Sequence, residues 1–237
     1  MSDINNEPRR RHSRLPVSLE VQYRTQGSFL VSYTFNLSKG GLFLETQDSL
    51  PIGTALTVRL IIPGAEKPIE TDARVVWVRE TNPSQNLPPG LGLQFDSLES
   101  QMGVLIDRLV GSFSGVKILA LAGDTASLDR LSRYLKSILN CDVILATASD
   151  TVAAGFASKI DLVLVDLDSS GQEGLMTIRM ARKMARHTIP VVTLTRSDQI
   201  KTRALQEGVA AVLENPPVYE ELRLRVLEVL GMPFQKK

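Results

Sequence analysis

The sequence predicts two domains of different class: a small all-β barrel closed by a C-terminal helix, then an α/β doubly wound, flavodoxin-like domain on a five-stranded parallel sheet. Two observations carry this. Up to Phe95, short runs alternate apolar and polar residues between glycine and proline turns, the period of half-buried strands. Beyond residue 116, continuous Val/Leu runs alternate with amphipathic stretches, as in a parallel sheet covered on both faces. At 237 residues the chain is long enough for both units.

Val17, Leu19, Val21 and Tyr23 alternate with polar residues and predict the first strand. A turn at Gln26 and Gly27 leads to a second strand over residues 29–35, rich in aromatic and β-branched side chains. Leu42, Phe43 and Leu44 form a third after a glycine-ended turn; residues 55–62 and 69–78 form two more, the first ended by Pro63 and Gly64. Residues 82–89 carry three prolines and read as an exposed loop, and residues 90–95 close the set. Many short strands joined by turns predict a small antiparallel barrel, with Trp77 in its core. From Glu99 the period changes: Met102, Leu105, Ile106 and Leu109 recur at helical spacing, so a helix packs on the barrel end.

After the small residues of 111–115, strands are expected at 117–122, 143–146, 162–165, 191–194 and 210–213. Helices lie between them, at 127–139 among others, and residues 219–230 form the last. The basic stripe Arg179, Arg182, Lys183 and Arg186 has helical spacing and reads as a solvated face.

Composition removes several function classes. With 43% hydrophobic and 22% charged residues the chain is that of a soluble globular protein, and the net charge of +1 argues against broad nucleic-acid binding. No apolar run approaches a bilayer span and no signal peptide is visible, so a cytoplasmic location is expected. One cysteine, Cys141, excludes an intrachain disulfide, and with two histidines a His/Cys zinc site is not expected. No P-loop, metal-binding cluster or nucleophile–base pair is present, so no enzyme is expected.

Two motifs remain. Arg9, Arg10, Arg11 and Arg14 crowd a short arm before the first strand, and Asn36, Ser38 and Gly41 define a polar turn ended by glycine. Together they resemble the paired motifs of the PilZ family: RxxxR falls on Arg10 and Arg14, and (D/N)xSxxG on Asn36, Ser38 and Gly41. The resemblance implies a barrel that binds cyclic di-GMP through these five residues, with Arg9 and Arg11 as auxiliary groups. The chemistry suits the ligand. Arginine forks onto a phosphate or onto guanine O6 and N7, and stacks on a purine face. Asn and Ser supply amide and hydroxyl partners, and glycine permits a positive φ or a close backbone approach.

The second half resembles the receiver domain of response regulators. Asp166, ending the run 161–166, matches the phosphoacceptor aspartate, and Thr195 the hydroxyl residue of the fourth strand. Three departures stand against phosphorylation. Ala122 and Gly123 replace the acidic pair that would hold Mg²⁺, Asn215 replaces the lysine, and Arg196 follows Thr195 where a small residue is expected. Phosphoryl transfer needs those cations. Asp166 and Thr195 are therefore read as vestiges, Arg196 as the group that balances Asp166 and Asp168, and no metal is expected.

The expected organisation is a flexible N-terminus (1–8), a PilZ domain (9–113), a linker (114–116), a degenerate receiver-like domain (117–232) and a tail (233–237). The implied role is a bacterial cyclic di-GMP effector or adaptor whose pseudo-receiver docks a protein partner or a second copy. The alternatives are a phosphorylation-responsive regulator with a PilZ output, and an adaptor that binds no nucleotide.

Overall fold

The computed structural model describes residues 17–37, 40–81, 89–97, 99–147, 149–157, 159–184 and 189–235. The first part comprises β1 (Ser18–Gln22), α1 (Gln26–Phe35), β2 (Gly41–Glu45), β3 (Ala55–Ile61), β4 (Ile69–Arg79), β5 (Gly90–Phe95) and α2 (Glu99–Ser112). The second comprises β6 (Val116–Leu121), α3 (Thr125–Ile138), β7 (Cys141–Ala146), α4 (Ser149–Phe156), β8 (Leu162–Asp166), α5 (Leu167–Met184), β9 (Val191–Leu194), α6 (Asp198–Gln206), β10 (Ala211–Leu213) and α7 (Tyr219–Leu230). A last short strand, β11 (Phe234–Gln235), returns to the first part.

Five strands of the first part and β11 curl into a closed sheet in the order β1-β11-β2-β5-β4-β3, with β3 pairing back onto β1. Alternation works as the sequence implies: Leu56, Val58 and Leu60 of β3 point inward to meet Leu19, Val21, Leu42, Leu44, Leu91 and Leu93. Met102, Leu105 and Leu109 of α2 complete this core.

The second part is a five-stranded parallel sheet in the order β10-β9-β8-β6-β7, the flavodoxin-like arrangement. Every residue of β8 is buried, as a central strand requires. Leu128, Leu131 and Leu135 of α3 and Leu222, Val226 and Leu230 of α7 cover one face. Val152 of α4, Leu175 and Ile178 of α5 and Ala204 of α6 cover the other.

Four sequence expectations are corrected. Residues 29–35, expected as a strand, lie in α1. The Thr25 side chain caps that helix by accepting from Ser28 N at 3.0 Å, and Phe29 packs edge-on against Tyr23 in the barrel core, ring centroids 5.1 Å apart. Tertiary packing thus overrides a segment of weak helix formers. The barrel is mixed where an antiparallel one was expected, because β1 pairs with β3, and β11 with β2, in parallel. Phe234 and Gln235, expected in a tail, form β11. Trp77, expected in the core, is 42% exposed on the outer face.

The two parts share a seam. Val31 and Phe43 belong to the same apolar cluster as Leu227, Leu230 and Met232. Arg24 donates to Met232 O at 2.7 Å and pairs with Glu45 at 2.9 Å, while Arg79 of β4 pairs with Glu228 of α7 at 3.3 Å. Among the described residues no helix is long and apolar enough to cross a membrane.

Candidate functional site

Two regions carry the residues singled out above. Of the first set, Asn36 and Gly41 are described; Arg9, Arg10, Arg11, Arg14 and Ser38 lie outside the described residues. Asn36 ends α1, its backbone N–H donating to Ser32 O at 2.7 Å, and Gly41 N donates back to Asn36 O at 3.3 Å. The positive φ in this turn, 80°, belongs to Gly40. Gly41 is required for another reason: a Cβ there would lie 2.5 Å from Leu93 O on the neighbouring strand. The Asn36 side chain faces the second part of the chain, since a Cβ on Gly231 would sit 3.6 Å from its Nδ2.

Beyond this turn the outer face of the barrel presents two cross-strand rows. Gly41, Gln94 and Arg74 align across β2, β5 and β4, with Gln94 and Arg74 exposed. The next row is Phe43, Gly92 and Trp77. The Trp77 ring lies directly on Gly92, where a Cβ would come within 1.9 Å of Nε1, and stacks on Phe43 at 5.0 Å with a 15° interplanar angle. Arg79 sits over both rings, 4.2 Å from the Phe43 centroid and 5.4 Å from that of Trp77. Phe43 is buried against the second part of the chain and Arg79 is tied to Glu228, so of these two rings Trp77 is the one that offers a planar aromatic surface to solvent. Trp77, expected in the core, is turned out by the irregular pairing between Val75 and Trp77, which the sequence does not signal.

The second region lies at the carboxyl ends of β8, β9 and β10, where ligand crevices form in this fold. Asp166 is 1% exposed, and its Oδ1 accepts from Asp168 N at 3.0 Å, Ser169 N at 3.2 Å and Asn215 Nδ2 at 2.9 Å. Asp168 is held as tightly. Its carboxylate accepts from Thr195 Oγ1 at 2.7 Å, from Arg196 N at 3.1 and 3.2 Å and from Asn215 Nδ2 at 3.2 Å. Arg196 Nε stands 3.7 Å from Asp168 Oδ2. The expected balancing role of Arg196 is thus divided: Arg196 serves Asp168, and the Asn215 amide serves both carboxylates.

A divalent ion does not fit this arrangement. The Asn215 Nδ2 group already donates to both carboxylates, and a donor repels a cation. Gly123 closes the opposite side: its N donates to Ser169 Oγ at 3.0 Å, and a Cβ on Gly123 would lie 2.0 Å from Ser169 O. Groups of three or more acidic, His or Cys residues able to hold a metal are absent among the described residues.

Elsewhere, Asp161 is buried near the seam, where its Oδ2 accepts from Lys117 N at 2.8 Å; burial pushes its carboxyl above the usual range, against the pull of that bond. Cys141 is buried and free, and burial pushes its thiol up to about 11, away from reactivity. Arg179 pairs with Glu207 at 2.6 Å and Arg182 donates to Glu207 O, so half of the basic stripe ties α5 to the end of α6.

The chain thus joins a curled barrel sheet to a parallel five-stranded α/β sheet. Residues 8–112 match the PilZ domain family, so the chain carries a PilZ domain there. About half of the chain resembles solved response-regulator receiver domains. A receiver domain protein from Clostridium thermocellum is 22% identical over 49% of this chain and 94% of its own, with a TM-score of 0.44. The signal receiver domain of a DNA-binding response regulator from Colwellia psychrerythraea is 18% identical over 48% and 98%, TM-score 0.44. A response regulator from Thermotoga maritima is 20% identical over 49% and 98%, TM-score 0.44. No curated protein matches the sequence.

Proposed function

We propose that this chain is a cytoplasmic cyclic di-GMP effector whose receiver-like domain is an interaction module that no longer takes phosphate. The presence of a PilZ domain carries the first half of this reading. Within it, Arg10 and Arg14 fork onto phosphate or guanine, Asn36 and Ser38 supply polar contacts, and Arg9 and Arg11 add charge. The exposed Trp77, one cross-strand row from Gly41 on the outer face, supports the same face as the ligand face.

The Asn215 amide carries the second half. It occupies with a neutral donor the place between Asp166 and Asp168 where transfer chemistry calls for cations. With Thr195, Arg196 and Asn215 all engaged on Asp168, the ends of β8, β9 and β10 are held in one arrangement, a fixed surface for a protein partner or a second copy. No step of this reading needs an enzyme.

Calorimetric titration of cyclic di-GMP against the full chain and its Arg14→Ala variant tests the ligand. Binding lost or weakened in the variant supports the reading; a parent that takes up no ligand overturns it. Acetyl phosphate with Mg²⁺ tests the receiver, where an acid-stable mass gain that Asp166→Asn abolishes would restore the phosphorylation-responsive alternative.

A further inference from the structure

We propose that residues 29–35 and β11 compete for one edge of β2, and that the structure captures the state in which β11 holds that edge and clasps the two domains together. The inference rests on the cyclic di-GMP reading only for what drives the exchange.

Four observations converge. First, β11 is a minimal tenant: it meets β2 at one position, Phe234 opposite Glu45, and β1 at two, leaving most of the five-residue β2 edge without a strand partner on that side. Second, residues 29–35 are written as a strand. Phe29, Val31, Tyr33 and Phe35 alternate with Leu30, Ser32 and Thr34, so an extended segment has one wholly apolar face. As a helix the segment leaves Phe35 40% exposed, and it has neither acid in its first turn nor base in its last. Third, docking of α1 buries two polar side chains, Tyr23 and Ser32, which meet each other inside the apolar core, away from solvent. Fourth, the chain runs from α1 directly through Asn36 and Gly41 into β2. An antiparallel hairpin of residues 29–35 with β2 needs only this turn as its loop, and with Phe35 opposite Leu42 and Tyr33 opposite Leu44 the apolar face joins the barrel core.

The two states differ at the ligand motif. With α1 helical, Asn36 packs against Gly231 at the end of α7, facing the second domain. With residues 29–35 extended, Asn36 enters a hairpin loop and leaves that contact. Residues 233–235 are then displaced, and with them Pro233 O accepting from Glu45 N at 3.0 Å and Gln235 Oε1 accepting from Thr46 Oγ1 at 2.5 Å. Ligand that binds the hairpin loop therefore loosens the receiver-like domain from the barrel, and the differential affinity for the two states is the entire driving force.

The Thr46→Cys/Gln235→Cys variant tests this in the full chain, since Cys141 is buried and an oxidised pair keeps β11 in place. Oxidation is expected to weaken cyclic di-GMP binding by about tenfold or more, with reduction restoring it. Ending the chain after Met232 is expected to tighten binding and to move the backbone carbon shifts of residues 29–35 from helical to extended values. Thr25→Ala removes the helix cap and should tighten binding about fivefold; Thr34→Ala favours the helix and should weaken it about threefold. Equal affinity for the oxidised and reduced forms, with helical shifts after truncation, overturns the competition. Shifts that turn extended in a protein that binds no cyclic di-GMP uphold the competition and sink the ligand reading instead.

Discussion

Asn215→Asp should convert the quiet centre of the receiver-like domain into one that needs protons or metal. The substitution puts a carboxylate where Nδ2 now lies 2.9 Å from Asp166 Oδ1 and 3.2 Å from Asp168 Oδ2. At an effective dielectric of about 20, each new like-charge pair near 4 Å costs about 4 kcal/mol. Protonation sets a ceiling, however. Forcing one carboxyl to hold a proton at neutral pH, about three units above its ordinary value, costs about 4 kcal/mol in total at ~1.4 kcal/mol per unit. That ceiling is the expected loss, a large share of an ordinary domain's ~5–15 kcal/mol. The folded pKa of the new carboxyl is raised, so stability is retained below about pH 4 and lost as pH rises toward neutrality. Three carboxylates also make an oxygen set for Mg²⁺ or Ca²⁺, so millimolar metal should restore part of the loss and a chelator remove it. Urea unfolding across this pH range, with and without metal, reads all three effects. A variant with the parent's midpoint at neutral pH would refute the electrostatic account of Asp166, Asp168 and Asn215.

Other expectations are briefer. Gly123→Asp, which rebuilds part of the missing acidic pair, should unfold or strongly destabilise the domain and not restore Mg²⁺ binding, because its Cβ meets Ser169 O at 2.0 Å; a folded, metal-binding variant by circular dichroism and calorimetry would contradict this. Asp161→Asn should raise the urea midpoint at neutral pH and change nothing below about pH 4, because the buried carboxyl has a raised pKa and its stability contribution is lost as pH rises through the folded value. Arg10→Ala and Arg14→Ala should each weaken cyclic di-GMP binding by about 1–3 kcal/mol. Arg9→Ala and Arg11→Ala should do so less, and equal losses at all four positions in calorimetry would point to diffuse charge.

The second domain was legible almost strand by strand, because central parallel strands are continuous apolar runs and the helices around them have clear faces. Residues 219–230 are α7 to the residue, and residues 191–194 are β9. The barrel was less so, for physical reasons that differ by site. Residues 29–35 carry a strand pattern, yet a Thr25 cap and packing of Phe29 on Tyr23 hold them helical, and no local window contains that tertiary term. A two-residue strand such as β11 has no period to read at all. At the candidate sites, the departures at Ala122, Gly123 and Asn215 were visible as residue types, but the role of Asn215 as shared donor to two carboxylates needs coordinates. Asp168 as the hub for Thr195 and Arg196 is likewise a product of loops meeting from three strands.

The position of β11 in the chain has a consequence for synthesis. A ribosome delivers β1 through α2 long before Phe234 and Gln235, which pair with Val21 and Gln22 across more than two hundred intervening residues. The earlier half therefore waits with β1 lacking its β11 neighbour, with the β2 edge left to residues 29–35, and with Phe43 and Val31 lacking their partners from α7. Open strand edges template association with other chains, and domains made first usually complete themselves first. Here completion of the first-made unit is deferred until the second has emerged. A nascent or truncated chain halted before α7 should accordingly be sticky, dependent on chaperones and prone to pair with its neighbours on a polysome, whereas emergence of Phe234 and Gln235 closes the ring in a single late event.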